Sequence, residues 1–130
     1  MGIEPFLIPA SLNMIVSQRL VRRLNPESKE ALEAAPEIQE IITKELSLLP
    51  EDIKASVEKF KPPYKIYRAS KDPNQKPFAG RIALFEVLEM TRELENIINH
   101  DPTEGQIYEE ARRQGMVTMR QDGIVKALEG

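Results

Sequence analysis

The sequence has no cysteine and one histidine, His100, in 130 residues. The first absence removes disulfides, cysteine nucleophiles and thiolate metal sites together. The second leaves no histidine-rich metal site, and the carboxylates show no metal-binding motif. No apolar run approaches the roughly 18 residues that a membrane-spanning helix needs. No basic segment followed by an apolar stretch marks a signal peptide. A nucleotide site would need a glycine-rich loop with Lys and Ser/Thr. The six glycines are instead isolated, and read as turns and helix ends. No serine has an evident base partner, so a hydrolytic triad is unsupported. A net charge of −3 argues against a general nucleic-acid binder. What remains, 41% hydrophobic and 30% charged, is the balance of a soluble globular chain, with the cytoplasm as the expected compartment.

Proline and charge divide the chain. Nine of the ten prolines precede Phe78. From Glu27 to Glu58 nine acids face three bases, a net −6, and from Lys59 to Arg81 seven bases face one acid, a net +6. These shifts suggest three parts, 1–26, 27–79 and 80–130. In the first, Ser11 reads as an N-cap, and Leu12, Ile15, Val16 and Leu20 as the stripe of a following helix. Leu20 to Leu24 continues that helix or turns into a short strand, and Pro26 ends either.

In the second part Pro36 suits a first helical position. Ile38, Ile41, Ile42 and Leu46 make one apolar face. Pro50 opens a short helix with Glu51 and Asp52 at its positive end and with Ile53, Val57 and Phe60 inward. Lys61-Pro62-Pro63 breaks the chain. Tyr64 to Ala69 alternates as a strand, and Ser70 to Pro77 reads as a loop. The third part opens on a strand, Arg81 to Leu88, apolar on both faces and so expected to be covered on both. Three helices follow: one marked by Leu94, Ile97 and Ile98, one begun by the capping box Thr103–Gln106 and ended at Gly115, and one begun by the box Thr118–Gln121. The class is α+β, mostly helical with a small β-sheet built from Lys65–Arg68 and Arg81–Leu88.

Few residues carry candidate chemistry. Arg19, Arg22 and Arg23 lie close together. They are either a solvated face paired with Glu27 and Glu30, or contacts to a phosphate or a neighbouring subunit. The basic stretch from Lys59 to Arg81 either attracts the adjacent acidic stretch within one lobe, or binds acidic lipid, nucleic acid or an acidic partner. Glu86 is an acid on a mostly apolar strand expected to be largely buried. It reads as an ion-pair partner of Arg81 or a neighbouring base rather than an acid–base catalyst. His100, before Asp101-Pro102, reads as a helix C-terminal cap rather than a catalyst.

Two segments carry a resemblance. Ile3-Glu4-Pro5-Phe6-Leu7-Ile8-Pro9-Ala10-Ser11-Leu12-Asn13, running to Gln18-Arg19-Leu20-Val21-Arg22, is one. Gly80-Arg81-Ile82-Ala83-Leu84-Phe85-Glu86-Val87-Leu88, with Gln114-Gly115-Met116 and Asp122-Gly123, is the other. In order and spacing they resemble the C-terminal region of the type II secretion and type IV pilus-assembly ATPases (the GspE/PulE/PilB family). The resemblance implies cytoplasmic homo-hexameric motors with a RecA-like core. They use ATP and Mg to drive pilin or pseudopilin assembly at inner-membrane platform proteins, to which they are peripheral. Their nucleotide motifs precede the matched region and are absent here. The chain then reads as the end of the ATPase lobe (1–26), a helical insert (27–79) and a strand with a three-helix cluster (80–130). It would hydrolyse no ATP by itself. Its role would be structural: closing the lobe, contributing to subunit contacts and presenting the insert. Arg19, Arg22, Arg81 and Glu86 are its interface or core-support candidates, with no catalytic, cofactor-binding or metal residue and no nucleic acid or membrane span. The alternative is a stand-alone adaptor that binds the motor or a membrane partner.

Many members of that family carry two Cys-x-x-Cys pairs that hold zinc. Flanking residues align those positions with Asn25 and Ser28, and with Ser70 and Pro73. None of the four supplies a thiolate, so the expectation is a metal-free insert.

Overall fold

The computed structural model describes residues 2–130, with the element order α1 (Leu7–Ser11), β1 (Met14–Leu24), β2 (Glu30–Glu33), α2 (Pro36–Ser47), α3 (Glu51–Val57), β3 (Lys65–Arg68), β4 (Phe78–Glu89), α4 (Arg92–Asn99), α5 (Glu104–Arg113) and α6 (Met119–Glu129). The class is α+β. The strands form two separate antiparallel ribbons, β1 with β4 and β2 with β3. The expected single sheet of Lys65–Arg68 with Arg81–Leu88 does not form, because each strand finds its partner upstream: Glu30 opposes Arg68, and Ile15 opposes Leu88.

The helix expected over Leu12–Leu20 is a strand instead. Ser11 ends α1 rather than capping a later helix. Leu12, Ile15, Val16 and Leu20 fit a helical stripe, but β-branched Ile15, Val16 and Val21 also suit a strand. Pairing along β4 from Met14–Glu89 to Arg22–Arg81 decides the matter. Here tertiary pairing overrides a weak local pattern.

The helices start and stop as their sequences dictate. Pro36 is the first residue of α2, and Glu51 and Asp52 lie in the first turn of α3. Both capping boxes form, Thr103 with Gln106 and Thr118 with Gln121. Gly115 follows α5 at φ 81°. Its N–H donates to the Arg112 carbonyl and the Met116 N–H to that of Ala111, the paired bonds of a left-handed helix stop.

The main core joins the insert to the C-terminal helix. Ala34, Ile42, Tyr64 and Leu128 are buried together, with Leu46, Phe60, Ile66 and Ile124 packed around them. Gln39 closes its edge: Nε2 donates to the carbonyls of Ala34 and Tyr64, and Oε1 accepts from the Tyr64 N–H. Arg120 on α6 reaches Glu45 on α2 at 3.2 Å. Of the apolar face expected on α2, Ile42 and Leu46 turn inward while Ile38 and Ile41 remain exposed.

The C-terminal helices have a smaller centre at Leu94, 1% exposed. Leu94→Ala is expected to lower stability by roughly 2–5 kcal/mol through lost burial and the cavity left behind. Chemical denaturation of the two proteins measures it, and a cost under about 0.5 kcal/mol would show that α4 does not depend on this packing.

Candidate functional site

The β1–β4 ribbon carries all four candidate residues. Residues directly opposite in an antiparallel pair share a face. Arg22 opposes Arg81 on the face that also holds Met14, Val16 and Leu20. Arg19 opposes Leu84 on the other face, beside Ser17 and its partner Glu86. Two like charges set directly across a ribbon repel. The Arg22 guanidinium meets this partly by lying over the Phe78 ring, 4.1 Å from its centre. Among the described residues, no carboxylate lies within ion-pair distance of Arg19, Arg22, Arg23 or Arg81. Glu30, one expected partner, is taken by Arg68 at 2.9 Å.

Glu86 does not pair with Arg81. Strand periodicity puts the two on opposite faces. Its Oε1 instead accepts the backbone N–H of Met119, the first residue of α6, at 3.3 Å. A carboxylate there meets the helix's positive end. Glu86 also lines a groove of about 780 Å³ with Ile15, Leu88, Ile107, Tyr108 and Met116. Ser17, directly opposite Glu86, lines the same groove, with no histidine among its walls to act as its base.

The far edge of β4 is closed by α6, which periodicity alone did not reveal. Asp122 Oδ2 accepts the Phe85 N–H at 2.9 Å, and Lys126 Nζ donates to the Ala83 carbonyl at 2.8 Å. Asp122 and Lys126 are themselves paired at 2.6 Å, one helical turn apart. Gly123 lies between them and faces the Leu84 side chain.

By contrast β1 has a free edge. Ten of its eleven residues are exposed, including Val16 at 54% and Leu20 at 49% on one face and Ile15 at 46% on the other. The double cover expected for β4 is also missing here. Phe85 and Val87 stay exposed, because α6 covers an edge of the ribbon rather than a face.

The opposed charge blocks meet at one ion pair only among the described residues, Arg68 with Glu30. The remaining basic residues of 59–81 largely face solvent, since β3 is only four residues long and the loop after it carries Lys71 and Lys76 away. His100 is the C-cap of α4, with Nδ1 2.7 Å from the Asn96 carbonyl.

A second buried polar cluster went unnoticed in the sequence. Glu110 on α5 is 5% exposed. It accepts from Arg113 at 2.6 and 2.9 Å, from Gln114 at 3.1 Å and from the Thr91 hydroxyl at 3.0 Å. Thr91 also caps α4 through the Leu94 N–H, so the cluster joins the two helices. Hydrogen bonds from Arg113, aided by Gln114 and Thr91, outweigh burial and hold the Glu110 carboxyl down to about 2. Its only local signals were the Glu110–Arg113 spacing and a threonine three residues before Leu94. Among the described residues no group of three His, Cys, Asp or Glu could hold a metal ion, and no helix is long and apolar enough to cross a membrane.

The whole chain, residues 1–130, matches the family model described as type II/IV secretion system protein. The chain belongs to that family. It is 35% identical over 132 residues to the type II secretion system ATPase E of Vibrio cholerae, covering all of this chain and 23% of the relative. It is 32% identical over 137 residues to the type IV pilus assembly ATPase PilB of Myxococcus xanthus, covering all of this chain and 21% of the relative. The PilB of Thermus thermophilus is 33% identical over 132 residues, with 14% of its length covered. The chain thus spans between about a seventh and a quarter of the length of these relatives.

The Glu110 cluster has a pH signature. A depressed carboxyl contributes stability that is fully present above its unfolded value near 4.5 and is lost as pH falls toward about 2. Glu110→Gln is expected to melt below the parent protein at pH 7, and the two melting temperatures should converge by about pH 2. A gap that stays constant across that window would mean the charge on Glu110 is not what joins α4 to α5.

Proposed function

We propose that this chain serves as the C-terminal structural and interaction region of an ATPase that powers type II secretion or type IV pilus assembly. ATP and Mg are bound by the remainder of that protein. The reading is supported by relatives named as such ATPases. The observation that carries it is β1. An eleven-residue strand with an open edge and apolar side chains exposed on both faces is a surface that soluble proteins avoid leaving bare. It suits the rim of a larger sheet. In this reading residues 1–26, which include β1, close the RecA-like lobe, the insert over 27–79 projects from it, and the helices over 80–130 brace β4.

The unpaired arginines fit the same account. Arg19 and Arg22 carry charge on both faces of a strand that the rest of the lobe or a neighbouring subunit would cover, where a guanidinium fork finds carboxylate or phosphate partners. The motor so built works as a homo-hexamer in the cytoplasm, peripheral to the inner membrane, with assembly-platform proteins as its partners. Glu86 supports α6 and takes no part in catalysis.

The test uses the complete ATPase. Arg19→Ala and Arg22→Ala should each reduce ATP turnover or hexamer formation about tenfold or more, the scale of losing a charge-assisted hydrogen bond of roughly 1.5–3 kcal/mol. Residues 1–130 alone should show no turnover. Unchanged rates and unchanged assembly in both variants would remove the arginines from the interface, and ATP hydrolysis by residues 1–130 alone would overturn the assignment.

A further inference from the structure

The insert leaves the ribbon after Leu24 and returns at Phe78, the last register pair of β1 and β4. Two side chains sit at that neck. Asn25 N–H donates to the Pro77 carbonyl at 3.1 Å, adding one rung to the ribbon. Asn25 Nδ2 and Ser28 Oγ both donate to the Lys76 carbonyl, at 3.0 and 2.9 Å. Asn25 Oδ1 accepts the Glu27 N–H, and the Asn25 carbonyl accepts from Ser28 and Lys29, which winds this side of the neck into a tight turn. Ser28 is 9% exposed. Three hydrogen bonds thus cross the neck, between residues about fifty apart in sequence.

These positions do not fit the zinc that the family resemblance implies. Every side-chain polar atom of Asn25 is engaged with backbone, and Ser28 Oγ is committed to Lys76. Ser70 Oγ donates to Glu30 at 3.3 Å and accepts the Asp72 N–H at 3.1 Å. Pro73 lies in an exposed turn capped by Asp72 and offers no ligand atom. Zinc sites of this kind are built from thiolate and imidazole, and none is present among these four residues.

We propose that Asn25 and Ser28, by clasping the carbonyl of Lys76, set the position of the insert on the ribbon without metal. The clasp replaces a coordinate cross-link with hydrogen bonds from side chain to backbone. It keeps working under chelation or oxidation, where a thiolate–zinc knuckle would open. It also pins the insert next to Arg22 and Phe78, so motion of the insert and the placement of that arginine are coupled through one short segment. The clasp rests only on contacts within this chain and stands whether or not the parent ATPase reading holds.

Amide hydrogen exchange and limited proteolysis test it directly. In the Asn25→Ala/Ser28→Ala double variant, exchange at Glu27, Ser28 and Lys29 and cleavage within 27–77 should rise about tenfold or more, as both side-chain bonds to the Lys76 carbonyl and the Asn25 bond to the Glu27 N–H are lost. Ser28→Thr, which keeps the hydroxyl, should stay near the parent rate. EDTA should change neither exchange nor melting temperature in the parent protein. Should the double variant fail to fold, Ser28→Ala alone gives the same readout, since it removes one of the three crossing bonds. Unchanged exchange at the neck in these variants would overturn the proposal. So would stoichiometric zinc in the parent protein whose removal loosens the same amides.

Discussion

The contact of α6 with the outer edge of β4 ties the molecule together. A strand edge presents N–H and C=O groups that must be satisfied. Here Asp122 and Lys126, one turn apart and paired with each other, take up the Phe85 N–H and the Ala83 carbonyl. Further along the same helix Ile124 and Leu128 enter the core of the insert, and Arg120 reaches α2. At its start the helix is held by Glu86 from β4 and by its own capping box. The ribbon and the insert are therefore joined twice, at the neck beside Asn25 and through one C-terminal helix. Loss of α6 would leave the outer edge of β4 unpaired and Ala34, Ile42 and Tyr64 with an open core.

That arrangement explains which parts of the fold were legible in the sequence. The helices over 36–47, 104–113 and 119–129 have local start and stop signals, and their positions follow from Pro36, Thr103, Thr118 and Gly115 alone. The strand over 14–24 has only Pro26 to end it. Its helical stripe and its strand alternation compete on equal terms, and the partner that decides lies some sixty residues downstream. The sheet topology failed for the same reason. Lys65–Arg68 and Arg81–Leu88 are neighbours in sequence, yet β2 is too short and too polar to announce itself as the alternative partner.

Arg19, Arg22 and Arg81 were identifiable as an unusual concentration of guanidinium groups, but their distribution over two faces depends on β1 being a strand. Glu86 stood out because an acid is rare among Ile82, Leu84 and Leu88. Its partner was misjudged, because strand alternation sends Arg81 to the other face and a backbone N–H satisfies the carboxylate instead. The Thr91–Glu110–Gln114 cluster and the Asn25–Ser28 neck stayed hidden. Each is assembled from ordinary polar residues whose meaning lies in what they touch.

The charge pattern and the exposed strand bear on each other. Positive side chains along an edge strand hinder pairing with stray strands, and Arg19, Arg22 and Arg23 on β1 have that effect. The same strand nevertheless exposes Met14, Val16 and Leu20 on one face and Ile15 and Val21 on the other. Edge protection alone would favour polar residues at those positions, since exposed apolar groups add nothing to it. Apolar faces kept beside charges that find no acid among the described residues fit a surface that a partner would cover. The cover would supply both burial for the aliphatic side chains and anionic groups for the arginines. The cross-strand repulsion of Arg22 and Arg81, only partly met by the Phe78 ring, would then be relieved by the partner, making that pair more favourable in the assembled protein than in this chain alone.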